Sequence, residues 1–197
     1  MNVKRIAVCC SGGGSNLKAL VSYSQIKPLP VTFTLFISDK HGTGAEVFAN
    51  KCGIRCKILQ QRTYTSEACY ERAFLDLLRA EHIDIVLLAG YLKRVPSEVV
   101  KAYKGRMLNI HPSLLPKFGG AGMYGIHVHE AVAKAKEKIT GATVHFVDEE
   151  FDTGKILLQA QIHLNGTESP EEIARKVLDL EHKLYPAALE QLISSMH

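Results

Sequence analysis

In the stretch MLNIHPSLLPKFGG, residues 107–120, an amide and an imidazole interrupt an apolar run that Pro112 then ends. Side chains at i and i+2 of a strand point to one face. Asn109 and His111 therefore stand together at a strand's carboxyl end, facing whatever lies beyond it. The turn VDEEFDTG, residues 147–154, carries Asp148, Glu149, Glu150 and Asp152. A carboxylate from that turn facing His111 would favour the imidazolium, although acidic turns are ordinarily just solvated and Asp-x-Gly suits turns in general.

A second chemical signal lies at SGGGSNL, residues 11–17. A glycine-rich turn running into a helix leaves backbone N–H groups and the positive helix end to hold a phosphate. Gly14 lets the backbone approach closely, and Ser15 and Asn16 add side-chain donors. The loop lacks the Gly-Lys-Ser/Thr ending of a Walker A motif, and Leu17 stands where G-x-G-x-x-G needs its third glycine. The competing reading is a tight strand-to-helix turn with an Asn cap.

Both signals need elements to position them. Residues 5–11, 31–38, 56–59, 83–90, 106–111, 142–147 and 156–162 read as strands. Helical patterns cover Asn16–Ser24, Gly44–Lys51, Ser66–Glu81 and Ser97–Ala102, with Ser66 and Ser97 as N-caps. A last helix spans Pro170–Ile193, capped by Ser169, with Pro186 implying a kink or break. Strands alternating with helices predict an α/β fold: a doubly wound, mostly parallel sheet, with an antiparallel C-terminal hairpin and a final helix. In a sheet of order 3-2-1-4-5, ligands bind at the switch point beside strand one, outside the carboxyl ends. SGGGSN, AGYLKRV and NIHPS would converge there. Asn109 and His111 taken alone fit a satisfied pair stapling a loop; at this place a functional site is the better reading.

Composition limits the function classes. The 197 residues are 46% hydrophobic and 22% charged, which is globular, with no repeat, low-complexity tract or linker; a single domain, 1–197, is expected. A mild, dispersed net charge of +4 suits small anions and argues against nucleic acid. No apolar run reaches membrane length, and the N-terminus passes from Met1 to a strand without a signal-peptide pattern. Five cysteines, an odd number, with Cys9 and Cys10 inside an apolar strand, read as reduced thiols of a cytoplasmic protein. Cys52 and Cys56 lack a second pair at zinc spacing, so no metal is expected. Nothing in the sequence signals an oligomeric state.

GGGSN, AGYLKRV, LNIHPSLLPKF, GATVHFVDEEFDTGKILLQ and LEHKLYP together resemble the ordered motif set of the folate-dependent formyltransferases, from residue 4 to about residue 189. GGGSN and LEHKLYP point to the glycinamide ribonucleotide branch. The resemblance implies the family's Rossmann-like fold, and formyl transfer from 10-formyltetrahydrofolate, as co-substrate, to the primary amine of glycinamide ribonucleotide in purine biosynthesis. Asn109, His111 and Asp152 match the family's catalytic trio, with His145 behind them. Gly14, Ser15 and Asn16 match its substrate-phosphate loop, and Glu181 its substrate-binding glutamate. Tyr91, Leu92, Lys93, Arg94 and Val95, with Asp148, Glu149 and Glu150, match the wall for the folate head. Two departures stand out. Ser66 occupies the region where many members carry an arginine for the folate tail, leaving Arg62 as a substitute. The loop GGAGMYGIHVHEA is longer than the common G-x-H-x-H-x-x-A form, so His129 aligns better than His127.

The implied reaction explains the residue types. Attack of an amine on the formyl carbon creates an oxyanion, which fixed donors stabilise without the reorganisation that water needs. Asn109 and a protonated His111 would supply those donors, with Asp152 orienting His111 and favouring its charge. Protons pass from the amine to N10 through His111 or an ordered water. Methionyl-tRNA and sugar-nucleotide formyltransferases and formyltetrahydrofolate deformylases share the trio but usually carry a further domain, for which a chain ending at His197 is expected to leave no room. A noncatalytic nucleotide- or phosphate-binding module, with Asp39 on a ribose, is the alternative from another class.

Overall fold

The apolar runs pair side by side, as strands buried on both faces must. The computed structural model describes residues 3–196. The chain forms two compact units, one ending at Met107 and the other beginning at Leu108.

In the first unit, β1 (Lys4–Cys9), β2 (Val31–Ser38), β3 (Arg55–Ile58) and β4 (Ile85–Leu88) lie in the order β3-β2-β1-β4, all parallel. Every residue of β4 and the last four of β1 are buried, the continuous apolar run a parallel sheet demands. The crossovers are α1 (Ser15–Ile26), α2 (Gly44–Lys51), α3 (Glu67–Ala80) and α4 (Ser97–Ala102). In α3, Tyr70, Phe74 and Leu78 recur every four residues and form its buried stripe. Ser66 caps it, accepting the Cys69 N–H at 3.2 Å. Ser97 does not cap α4. The cap position falls on Pro96, whose fixed φ of −56° starts the helix, and Ser97 is its first helical residue. The β4 strand is shorter than its apolar run because Gly90, at φ 75°, turns the chain.

The second unit holds β5 (Met107–His111), β6 (Ile139–Phe146) and β7 (Ile156–His163), ordered β5-β6-β7 and antiparallel, Met107 being the first unit's last residue. Two helices accompany them: α5 (Ile126–Lys134), which the sequence pattern does not announce, and α6 (Pro170–Ser195). Ser169 and Glu172 form a complete capping box on α6. Pro186 does not end α6. The helix runs on to Ser195, held by a stripe that includes Val177, Leu184, Leu189 and Leu192, and Tyr185 donates its hydroxyl to the Leu108 carbonyl at 3.1 Å. The α/β class and the mostly parallel pairing with an antiparallel C-terminal hairpin agree with the sequence reading.

Candidate functional site

The register of the second unit's sheet decides which side chains meet. On the antiparallel pair β5–β6, Asn109 stands directly opposite His145, so the two side chains share a face. The Asn109 amide donates to His145 Nε2 at 3.1 Å. His145 in turn donates Nδ1–H to the Phe146 carbonyl at 2.9 Å, which fixes its tautomer and leaves Nε2 as the acceptor. The hairpin between β6 and β7 then folds Asp152 back onto this face. Its Oδ1 lies 3.4 Å from both Asn109 Nδ2 and His145 Nε2, and its Oδ2 lies 3.4 Å from His111 Nδ1. Asp152 sits at φ 60°, a left-handed backbone that Asp tolerates better than most residues and that recurs at functional sites. Asn109, His111, His145 and Asp152 thus form one cluster, with side chains of His111 and His145 almost wholly buried.

A strap after β5 closes over the cluster. His111 donates Nε2–H to the Phe118 carbonyl at 2.8 Å. The Gly120 N–H donates to Asp152 Oδ2 at 2.9 Å. Gly119 between them has no room for a side chain: a Cβ there would lie 2.5 Å from Leu115 Cδ2 and 3.3 Å from Asp152 Cβ. His111 therefore meets an acceptor on each side of its ring. Burial lowers its pKa below the ordinary histidine value, opposed by the Asp152 charge and the Phe118 carbonyl, and burial wins. For Asp152 the balance tips the other way. Burial works to raise its pKa, but the contact with His145, the His111 charge and the Gly120 N–H outweigh it and hold the carboxyl below its ordinary range. His129, on α5, is buried too, and burial together with the His111 charge holds it down at about 4.

The other second-unit residues fall nearby in sequence but differ in character. Glu181 is buried on α6. Asp148 works within the hairpin turn, where Oδ1 accepts the Glu150 N–H at 3.2 Å and the Thr153 hydroxyl at 2.8 Å. Glu149 and Glu150 are exposed. Gly154 closes the turn against the Phe146 carbonyl, 1.8 Å from where a Cβ would sit.

In the first unit, the strand ends after β1 and β4 lie together. The Ser11 N–H donates to the Gly90 carbonyl at 3.0 Å, and the Leu92 N–H to Ser11 Oγ at 2.9 Å. Tyr91 and Val95 turn inward and are buried, whereas Leu92, Lys93 and Arg94 are exposed. The Tyr91 and Tyr70 hydroxyls lie 3.4 Å apart, and burial pushes both phenols up, so they stay neutral. The glycine loop departs from expectation in detail. Gly14, not Asn16, is the N-cap of α1, at φ 76°, and a Cβ on it would strike Ala45 Cβ at 2.6 Å. Gly14 is thus the packing glycine of the α1–α2 contact. Open space belongs to Gly12 and Gly13, where an added Cβ meets nothing within 4 Å. With Ser15 as first residue, α1 presents its N-terminal N–H groups beside this open backbone. Sequence reasoning missed Gly12 and Gly13 because all three glycines look alike until α2 is in place. It missed the Phe118 carbonyl and Gly120 N–H because backbone groups have no sequence signature.

Among the described residues, no three His, Cys, Asp or Glu side chains are grouped as a metal ion would require, all five cysteines are unpaired thiols, and no helix is long and apolar enough to cross a membrane.

Comparison with known proteins covers both units. A family model described as Formyl transferase matches residues 4–189. The chloroplastic phosphoribosylglycinamide formyltransferase of Arabidopsis thaliana is 42% identical over 92% of this chain, which spans only 63% of that relative. The phosphoribosylglycinamide formyltransferase of Bacillus subtilis is 34% identical, with 97% of this chain and 95% of the relative covered. The crystal structure of the Bacillus halodurans phosphoribosylglycinamide formyltransferase aligns at a TM-score of 0.90 and 37% identity, over 98% of this chain and 97% of that one.

Proposed function

Since the chain belongs to the formyl transferase family, we propose that it moves a formyl group from 10-formyltetrahydrofolate to the primary amine of glycinamide ribonucleotide, the acceptor of purine biosynthesis. The carrying observation is the cluster of Asn109, His111 and Asp152 on one face of the second unit, in a chain similar over nearly its full length to the Bacillus subtilis enzyme. Both units count as one formyltransferase domain in this reading, because the family match runs across both. The unpaired state of the cysteines suits a reducing cytoplasm.

The amine lone pair attacks the formyl carbon, and the carbonyl π electrons move onto oxygen. His111 Nε2–H and an Asn109 N–H are the donors assigned to that oxyanion. Each has a present occupation to give up. The Asn109 amide has two N–H bonds, and the one aimed at Asp152 is the longer, at 3.4 Å against 3.1 Å to His145; it is the one to redirect. His111 must release the Phe118 carbonyl. A charge-assisted bond is roughly twice as strong as a neutral one, so a neutral carbonyl yields to an oxyanion. Negative charge on that oxygen also offsets the burial that lowers the His111 pKa, favouring the imidazolium when it is needed. The proton lost by the amine reaches N10 through His111 or water, the C–N10 bond breaks, and formylated amine and tetrahydrofolate leave.

Gly12, Gly13, Ser15 and Asn16 are assigned the acceptor's phosphate, with Gly14 shaping the loop, and Glu181 the acceptor's polar groups. Tyr91–Val95 and the Asp148–Glu150 turn are assigned the folate head. The test is an absorbance assay for loss of 10-formyltetrahydrofolate. Turnover should require glycinamide ribonucleotide; rapid formate release without any amine would instead identify a deformylase.

A further inference from the structure

His111 begins a row of three residues across the second unit's sheet. The register pairs His111 on β5 with Thr143 on β6, and Thr143 with Gln159 on β7. Side chains paired in this way share a face. The proposed chemistry uses only the first of the three. Thr143 is fully buried, and its hydroxyl makes every bond open to a hydroxyl. It donates to the Ser113 carbonyl at 2.6 Å, and accepts the Leu115 N–H at 3.1 Å and a Gln159 amide N–H at 2.8 Å. Gln159 donates its other amide N–H to the Leu115 carbonyl at 3.1 Å. Gln159 is exposed on the edge strand β7, where water could satisfy it, yet both donors of its side chain are turned inward.

These bonds hold the near end of the strap whose far end holds the cluster. The Leu115 N–H and carbonyl belong to successive peptide groups, so the Thr143–Gln159 pair fixes two of them at once. Further on, the Ser113 hydroxyl donates to the Lys117 carbonyl at 2.7 Å. Gly141 on β6 leaves room for Leu114, whose Cδ2 lies 2.7 Å from where a Cβ would stand. Leu115 is buried, and its Cδ2 fills the space beside Gly119. A shift of Leu115 is therefore passed to Gly119 in a closely packed interior. With Gly119 move its neighbours, the Phe118 carbonyl that accepts from His111 and the Gly120 N–H that donates to Asp152. Misplacing a reacting group by about 1 Å can cost on the order of 10²-fold in rate.

We propose that Gln159 is a positioning residue for the reaction, an inference that rests on the formyl-transfer reading. From the sheet's outer edge, and with Thr143, it holds the strap so that Phe118 and Gly120 keep His111 and Asp152 in the geometry that meets the formyl oxygen.

Gln159→Met tests it, because methionine keeps the side-chain length and removes both N–H donors. The residue is exposed, so circular dichroism and Tm should match the parent. Amide exchange measured by NMR should quicken about tenfold at Gly120, and stay parental at Phe146, whose N–H bonds the Lys155 carbonyl within the hairpin. With 10-formyltetrahydrofolate and glycinamide ribonucleotide, kcat should fall about 10- to 10²-fold while both KM values change little. In a His111→Ala background the same substitution should cost much less, because the strap acts through His111. Thr143→Val should reproduce the loss, and Thr143→Ser, which keeps the hydroxyl, should restore the parental kcat. Parental kcat in Gln159→Met, a loss that multiplies in full on His111→Ala, or parental exchange at Gly120 each overturns the proposal. A parent that does not formylate glycinamide ribonucleotide would sink the formyl-transfer reading instead, and Gly120 exchange alone would then decide whether Gln159 holds the strap.

Discussion

Asp152→Asn removes one charge while keeping the shape of the cluster. An asparagine oxygen can still accept the Gly120 N–H, so the strap keeps its anchor, but the negative charge 3.4 Å from His111 Nδ1 is gone. Coulomb attraction at that distance with an effective dielectric of about 20 is about 5 kcal/mol, which sets a ceiling. Opposite charges at such range typically move a pKa by about 1–3 pH units, or about 1.4–4 kcal/mol. Burial already lowers the His111 pKa, and Asp152 is the largest influence opposing it. Without that charge the acid form of His111 is lost at lower pH. The basic-side fall of kcat should therefore move down by about 1–3 pH units, and activity above it should drop about tenfold for each pH unit the limb moves. Where pH is low enough to protonate Asp152 in the parent, the two proteins should converge, since both then carry a neutral group there. Initial rates with saturating donor and acceptor across about pH 5–9 measure this. A profile that stays in place, in a variant whose circular dichroism and Tm match the parent, would falsify the pairing of Asp152 with a protonated His111.

Three further outcomes follow from the same geometry. Asn109→Ala and His111→Ala should each lower kcat by about 10²–10³, with smaller changes in KM, and the double variant should lose less than the product because both donors serve one oxygen; near-parental kcat in a folded His111→Ala would make the pair structural. Gly13→Ala should raise KM for the phosphorylated acceptor and leave Tm nearly unchanged, because its Cβ enters open space, whereas Gly14→Ala should lower Tm through its left-handed backbone and the clash with Ala45; matching Tm losses would contradict this division of the loop. His129 has a folded pKa lowered from 6.5 to about 4 by burial first and His111 second, so the unfolded chain takes up its proton first as pH falls, and stability should be lost between about pH 6.5 and 4. The contribution is about 3 kcal/mol at about 1.36 kcal/mol per pH unit, and denaturant melts of His129→Leu should show that slope flattened; an unchanged slope would assign the acid sensitivity elsewhere.

Local periodicity and local chemistry were legible in the chain itself. Continuous apolar runs such as Ile85–Leu88 pack on both faces wherever they are placed, so the parallel class follows from composition along the strand. Ser66 and Ser169 cap helices through bonds only three residues long, and the two-residue period of a strand puts Asn109 beside His111. The short α5 was not legible, since nine residues behind a glycine-rich loop give little more than two turns of pattern. Tertiary structure decided everything that depends on groups far apart in sequence. Antiparallel register put His145 opposite Asn109, and the hairpin brought a left-handed Asp152 to His111 across 41 residues. Packing of α2 decided that Gly14 is closed while Gly12 and Gly13 stay open. The strap's carbonyl and N–H are backbone groups that every residue type shares, so only the folded path could aim them at His111 and Asp152. Burial set the direction of each titration, because desolvation depends on what surrounds a group in space and not on its neighbours along the chain.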